Sequence, residues 1–330
     1  MDWDLLGHSW AVENLANEVA SGTVRHAYLL CGQEGLGRRT LAQRLAQALN
    51  CPTPPLPGDA CRKCRTCMQI ERMSFSDLSI IQADQVGGTL RVDQVRELLH
   101  SLALMPYEGK YRIAVLLRFE EAHPSAMNAL LKTLEEPPAQ VVIAITAESA
   151  ESLLPTIASR CEILRLRPMP VMDLSQGLQR MKGIPPQTAD LYAHLSGGRP
   201  GIALRMADNP ELVESRKMWL EFHKHLLAAS RRERFSLVED LLKDRDYLRE
   251  GLRIWLSLWR DVMLVSLKTR VSVVNLDLEE VITRLVDQFG QEGSVQKIAI
   301  LEKTITLLDR NINPRLALEV LMLDLPSFVE

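Results

Sequence analysis

Two periodicities alternate along the first 168 residues. Within residues 9–21, Val12, Leu15, Ala16 and Val19 recur at helical spacing and predict an amphipathic helix. The run Ala27-Tyr28-Leu29-Leu30-Cys31 is apolar throughout and predicts a short buried strand. A Gly-rich turn over 32–37 and a helix from Thr40 to Ala46 follow it. The same alternation continues with a strand at 78–81, a helix at 92–104 and a strand at 113–117. A helix at 124–136, ended by Pro137-Pro138, then leads to a strand at 141–145. Wholly apolar strands separated by helices predict an α/β fold, with a parallel sheet covered on both faces.

Beyond about residue 168 the pattern becomes helical only. Arg167-Pro168-Met169-Pro170 reads as a linker, residues 171–207 as a small helical domain, and Asn209-Pro210 as a second break. From there to Glu330 the apolar positions keep helical spacing, as in Leu252, Trp255, Leu256, Trp259 and Met263, a stripe most simply read as core. The expected division is 1–167, 168–208 and 209–330, which suits a chain of 330 residues, too long for one ordinary core. The net charge of -3 provides no general basic field, so any nucleic-acid contact has to be local or supplied by partners. The start Met1-Asp2-Trp3-Asp4 has no basic, apolar leader, and no apolar run reaches membrane-spanning length, so the expected compartment is the cytoplasm, with no membrane partner.

Three motifs carry chemistry. The first is Gly32-Gln33-Glu34-Gly35-Leu36-Gly37-Arg38-Arg39-Thr40, set between strand and helix where a phosphate-binding loop belongs. The glycines have the right spacing, but Arg38 replaces the lysine that reaches the outer phosphates and Arg39 replaces the hydroxyl that binds Mg²⁺. Thr40 comes one position late, about 100° further round the helix. An ordinary Gly-rich strand-to-helix turn is the competing reading. The second motif is Glu120-Glu121 after the strand at 113–117, where ATPases of this class carry an Asp-Glu pair that holds Mg²⁺ and polarises water. A solvated acidic pair is the alternative. Thr146, at the end of the next strand, joins this candidate nucleotide site. The third is Cys51-x9-Cys61-x2-Cys64-x2-Cys67, four thiols suited to a tetrahedral structural Zn²⁺ with no open coordination position. Unliganded buried cysteines are the alternative here. Cys31 and Cys161 lie outside the spacing and read as non-ligands.

With these motifs in this order the chain resembles the AAA+ clamp-loader family. Asn128-Ala129-Leu130-Leu131-Lys132-Thr133-Leu134-Glu135-Glu136-Pro137-Pro138 nearly repeats a signature of that family, and Leu154-Pro155-Thr156-Ile157-Ala158-Ser159-Arg160-Cys161 contains its Ser-Arg-Cys motif. The resemblance runs from about Gly7 to the C-terminus and is most specific over 25–170. It implies a P-loop parallel-sheet domain carrying the zinc module, a helical lid, and a helical collar that builds a hetero-pentameric ring with gamma/tau motor subunits and a delta subunit. The family opens a sliding clamp and places it on primed DNA, in service of a DNA-directed DNA polymerase holoenzyme, a nucleotidyltransferase; no polymerase active site is visible in this sequence. In that ring the Ser-Arg-Cys arginine, Arg160 here, acts in trans on a neighbour's ATP. Because the segment follows the strand at 141–145, Arg160 is expected near the nucleotide edge of the sheet.

The altered loop points to a non-motor member of the family, and so does Gly201, in Gly197-Gly198-Arg199-Pro200-Gly201-Ile202-Ala203-Leu204, where a motor carries arginine. Asn311-Ile312-Asn313-Pro314-Arg315-Leu316-Ala317-Leu318-Glu319 resembles the same branch. Two other readings stand beside it. One is an active ATP-hydrolysing motor using Arg38 in place of lysine. The other is a zinc-dependent DNA-binding module, disfavoured because Lys and Arg do not cluster round the cysteines.

Overall fold

A computed structural model describes residues 3–85, 88–269, 271, 273–309 and 313–326; Asn311 and Ile312 of the C-terminal motif fall outside them. The chain divides into two compact units, residues 1–169 with 199–201, and residues 170–198 with 202–330.

In the first unit, α1 (Ser9–Ser21) precedes β1 (Ala27–Cys31) and α2 (Arg38–Asn50). Then come α3 (Arg65–Glu71), β2 (Leu78–Ile81), α4 (Val92–Leu102), β3 (Arg112–Leu116), α5 (Pro124–Glu135), β4 (Val141–Ala147), α6 (Pro155–Ala158) and β5 (Glu162–Arg165). The five strands form one parallel sheet in the order β2-β3-β4-β1-β5, with Leu29 level with Ile145 and Ile163, and Ala114 level with Ile143. Two cores cover its faces, as continuous apolar strands require. One gathers Tyr28, Leu30, Leu41, Leu45, Val115 and Val142; the other Leu29, Leu116, Leu130, Leu134, Ile143 and Ile157. The four strands expected from the sequence are all present. The fifth, β5, escapes the apolar-run criterion because exposed Glu162 and Arg165 leave only Ile163 and Leu164 between them.

The second unit contains α7 (Val171–Lys182), α8 (Pro186–Leu195), most of α9 (Pro200–Asp208), α10 (Glu211–Ala228), α11 (Arg231–Ser236), α12 (Val238–Leu241), α13 (Arg245–Ser266), α14 (Glu279–Asp309) and α15 (Pro314–Asp324). The aromatic stripe of α13 is core. Trp255 and Trp259 are fully buried with Trp219, Leu252 and Leu318. Trp259 Nε1 donates to His223 Nε2 at 3.0 Å, and burial holds that imidazole down to about 3, so it is neutral. Arg234 is also buried; its guanidinium donates to the carbonyls of Leu226, Leu227, Leu325 and Pro326. Arg234 is satisfied inside the unit, which fits a structural role, whereas His223 Nδ1 is buried without a partner among the described residues.

Candidate nucleotide loop, cysteine cluster and arginine finger

The glycine loop leaves the end of β1, between two other strand ends. The Gly32 amide donates to the Ala147 carbonyl, and a Cβ on Gly32 would lie 2.8 Å from the Leu166 carbonyl oxygen. Gly35 and Gly37 have φ of 85° and 87°, left-handed values that favour glycine, and Gly37 starts α2. Sequence therefore dictates the cradle: tight backbone, then the amino end of a 13-residue helix aimed at the crevice beyond the strands. Two further groups pin it. His8 Nε2 meets the Leu36 carbonyl at 2.9 Å, and burial lowers the His8 pKa. The Gly201 amide donates to the Gly35 carbonyl at 2.7 Å, and a Cβ on Gly201 would come within 2.9 Å of that oxygen. Any larger residue at 201 would have to displace the loop.

The side chains around this cradle are turned inward to one another. Arg38 is half-buried, with Nη1 enclosed and unpartnered among the described residues. Its charge faces Glu120, whose Oε1 accepts from the Glu148 amide at 3.3 Å. Burial raises the Glu120 pKa, against the opposing pull of its own backbone and of Arg38. Glu121 is taken by Arg118, whose Nε stands 3.0 Å from both carboxylate oxygens. Arg118 adopts a left-handed φ of 48°, uncommon outside glycine, and its amide donates to Thr146 Oγ1 at 2.9 Å. Arg39 is exposed and reaches the Met73 sulfur; Thr40 is half-buried on α2. Gly32, Gly35, Gly37, Arg38, Glu120, Glu121 and Thr146 thus converge at the carboxyl edge of the sheet, where doubly wound folds bind ligands. Arg118 was not anticipated; its only signal was a cation three residues before Glu121.

The cysteine cluster is separate. The sulfurs of Cys51, Cys61, Cys64 and Cys67 all lie within 4.8 Å of one another. A tetrahedral zinc site with 2.3 Å bonds needs roughly 3.8 Å between sulfurs, so a small contraction suffices. Backbone amides point at the sulfurs: Cys61 to Cys51 at 3.3 Å, Cys64 to Cys61 at 3.3 Å and Cys67 to Cys64 at 3.4 Å. The Lys63 amide leads the contacts that bring the Cys61 thiol down to about 6, while burial pushes Cys64 and Cys67 up. Four neighbouring thiolates require a cation among them, and this donor set fits Zn²⁺. The module docks on α2 through Gln43, which donates to the Ile70 and Glu71 carbonyls, and Gln47, which donates to the Cys67 carbonyl. Cys31 lies within β1, its thiol pushed up by burial to about 11; Cys161 is likewise raised to about 12.

The position of Arg160 corrects an expectation. It was assigned to the nucleotide edge because its segment follows β4, but α6 carries the chain back before β5 begins. Glu162 is level with Tyr28 and Arg165 with Cys31, so Arg160 stands before the first residue of a parallel strand, at the amino edge. The four-residue strand alone separates the edges by ~10 Å. There Arg160 Nη2 donates to Glu135 Oε1 at 2.7 Å and Nη1 to the Thr156 carbonyl at 2.8 Å.

A family model described as "DNA polymerase III, delta subunit" matches residues 7–170. DNA polymerase III subunit delta' of Bacillus subtilis (strain 168) is 26% identical over 94% of this chain and 93% of its own length. Subunit delta' of Pseudomonas aeruginosa is 33% identical over 55% of this chain and 55% of its own. The chain spans about a third of the Escherichia coli (strain K12) subunit tau, at 31% identity over 62% of this chain. Among solved structures, a DNA polymerase III gamma subunit-related protein from Thermotoga maritima superposes with a TM-score of 0.52 at 17% identity, covering 94% of this chain and 97% of that one; the likeness is one of fold.

Proposed function

The chain belongs to the DNA polymerase III delta-subunit family, and from that premise we propose that it works as a delta'-type clamp-loader subunit with an inert nucleotide site of its own. In this reading it joins gamma/tau motor subunits and a delta subunit in a hetero-pentameric ring, in the cytoplasm, and helps load the sliding clamp onto primed DNA during replication. Residues 1–167 form the AAA+ domain, 168–208 the lid, and 209–330 the collar through which the chain assembles. Among the described residues no helix is long and apolar enough to cross a membrane.

The observation that carries the proposal is the opposition of two features on one sheet. The glycine loop lies at the carboxyl edge, and Arg160 at the amino edge. Arg160 is therefore on the wrong side to serve its own loop and free to serve a neighbour's. A guanidinium brought to the γ-phosphate of a neighbouring ATP stabilises charge on the transferring phosphoryl group, and its planar fork spans two oxygens. At the chain's own loop the donor set does not fit Mg²⁺-ATP. The compact ammonium and the metal-binding hydroxyl are missing at 38 and 39, and the carboxylate that would polarise water is occupied by Arg118. Gly201 brings no cation to the loop either.

The alternative, an active motor, draws on the preserved cradle of Gly32, Gly35 and Gly37, which could still hold a phosphate group. ATP binding and turnover by the purified chain alone separate the two. The proposal expects little or no turnover; hydrolysis at ordinary motor rates would establish the alternative. The cysteine cluster holds one structural Zn²⁺ through Cys51, Cys61, Cys64 and Cys67. With four protein ligands it supplies folding energy to the module and no chemistry.

A further inference from the structure

We infer that Glu135 is the positioning residue for Arg160; the inference rests on the proposed trans role of that arginine. An arginine side chain loses rotamer freedom when fixed, so a finger that must meet a phosphate in a defined orientation gains from being held beforehand. Two acceptors hold this one. The Glu135 carboxylate takes Nη2 at 2.7 Å and the Thr156 carbonyl takes Nη1 at 2.8 Å, while Ser159 Oγ lies 3.4 Å from Nη1.

The platform beneath the pair is rigid. Glu135 ends α5 directly after buried Leu134, and Arg160 follows buried Ile157 at the end of α6. Leu130, Leu134 and Ile157 belong to one core cluster, so the backbone segments that carry Glu135 and Arg160 are fixed relative to each other by packing. Glu135 lies at the carboxyl end of α5, where a cation is favoured.

The grip is one-sided. A fork-on-fork pair would occupy two guanidinium edges and lock the arginine away from any ligand. Here a single carboxylate oxygen is hydrogen-bonded, and among the described residues no acceptor takes the Nε hydrogen. The pair stays accessible to solvent, with Arg160 and Glu135 side chains 34% and 52% exposed. That geometry suits orientation better than latching. Glu136, adjacent and also exposed, makes no bond to Arg160 among the described residues, so it serves as an internal control.

The test uses full-length chains carrying Glu135→Ala, Glu135→Gln, Glu136→Ala, Arg160→Ala or Glu135→Ala with Arg160→Ala, each assembled with its motor and delta subunits. ATP turnover is measured against ATP concentration in the presence of clamp and primed DNA. Glu135→Ala should lower kcat by a smaller factor than Arg160→Ala, with KM little changed. Glu135→Gln, which keeps an acceptor oxygen, should recover most of the loss, and Glu136→Ala should match the unmodified complex. In the Arg160→Ala background Glu135→Ala should cost nothing more, because its effect passes through the arginine. The inference is overturned if Arg160→Ala lowers turnover and Glu135→Ala does not. An equal loss with Arg160 already removed, which marks a general structural effect, also overturns it, as does a gain in turnover, which marks a latch. If Arg160→Ala itself changes nothing, it is the trans role that fails, a result visible in that single variant.

Discussion

The glycine loop and the cysteine cluster stand at opposite ends of α2, where Gly37 caps its start and Cys51 its end, and both come from short motifs. In the cluster every donor that a metal needs is present, and the backbone amides are already turned towards the sulfurs. In the loop the backbone cradle is equally well formed, but the surrounding charges are spent on one another: Arg118 on Glu121, the Arg118 amide on Thr146, Arg38 opposite Glu120. The difference teaches that a backbone and its ligand chemistry can part company. Glycines that permit left-handed turns also serve the sheet and helix they join, so the fold needs them whether or not anything binds. Lysine, a metal-binding hydroxyl and a free carboxylate serve only the ligand.

Losing zinc is the largest expected effect. Protein purified without added metal should carry close to one zinc per chain by elemental analysis, and Cys64→Ser should abolish it. Structural zinc sites contribute on the order of 10 kcal/mol of binding free energy, so the module over 51–71 should lose its order in that variant while β1 to β5 persist. A metal-free native protein would erase the contrast between the two sites.

Next in size is the nucleotide response. Electrostatic stabilisation of phosphoryl transfer is worth several kcal/mol, so the unmodified chain should hydrolyse ATP slower than a motor by orders of magnitude. Arg38→Lys with Arg39→Thr returns the ammonium and the hydroxyl to an intact cradle. Titration with fluorescent ATP should then show tighter Mg²⁺-dependent binding than the unmodified chain, and adding Arg118→Ala should raise turnover by freeing Glu121 to polarise water. If the restored loop binds no better, the defect lies in the backbone and the comparison above is wrong.

The strands were legible because burial on both faces leaves a continuous apolar run, as in Val141–Ala147. The strand Glu162–Arg165, with a charge at each end, and the four-residue helix Pro155–Ala158, barely one turn long, were not. Missing them misplaced Arg160: chain order says what precedes a residue, but not which edge of the sheet a short crossing returns it to. The cysteine cluster was readable since all four cysteines fall within 17 positions. The pairing of Arg160 with Glu135 joins positions 25 apart, and buried Asp77 holds the amides of Tyr107, Glu108 and Gly109 some thirty positions on. No local pattern encodes such contacts; the fold makes them.

The smallest effect concerns acid. Burial lowers the His8 pKa, so the folded protein favours the neutral ring; the stability this contributes is complete above the unfolded value of about 6.5 and is lost as pH falls below it towards the folded value. His8→Gln keeps a donor for the Leu36 carbonyl without the titration. It should flatten the decline in unfolding free energy between pH 6.5 and 5, by a slope of at most ~1.4 kcal/mol per pH unit. Unchanged acid sensitivity would mean that His8 does not hold the loop.

The claim at the centre is that this chain spends its chemistry on a neighbour. The most direct measurement is clamp- and DNA-stimulated ATP turnover of the assembled complex with Arg160→Ala in this subunit alone. Turnover should fall partially, since one trans-acting arginine serves one site, with assembly and zinc content unaltered, and Arg160→Lys should recover little of it because a point charge cannot span two phosphate oxygens. An Arg160→Ala complex that hydrolyses ATP and loads clamps at the unmodified rate would contradict the account.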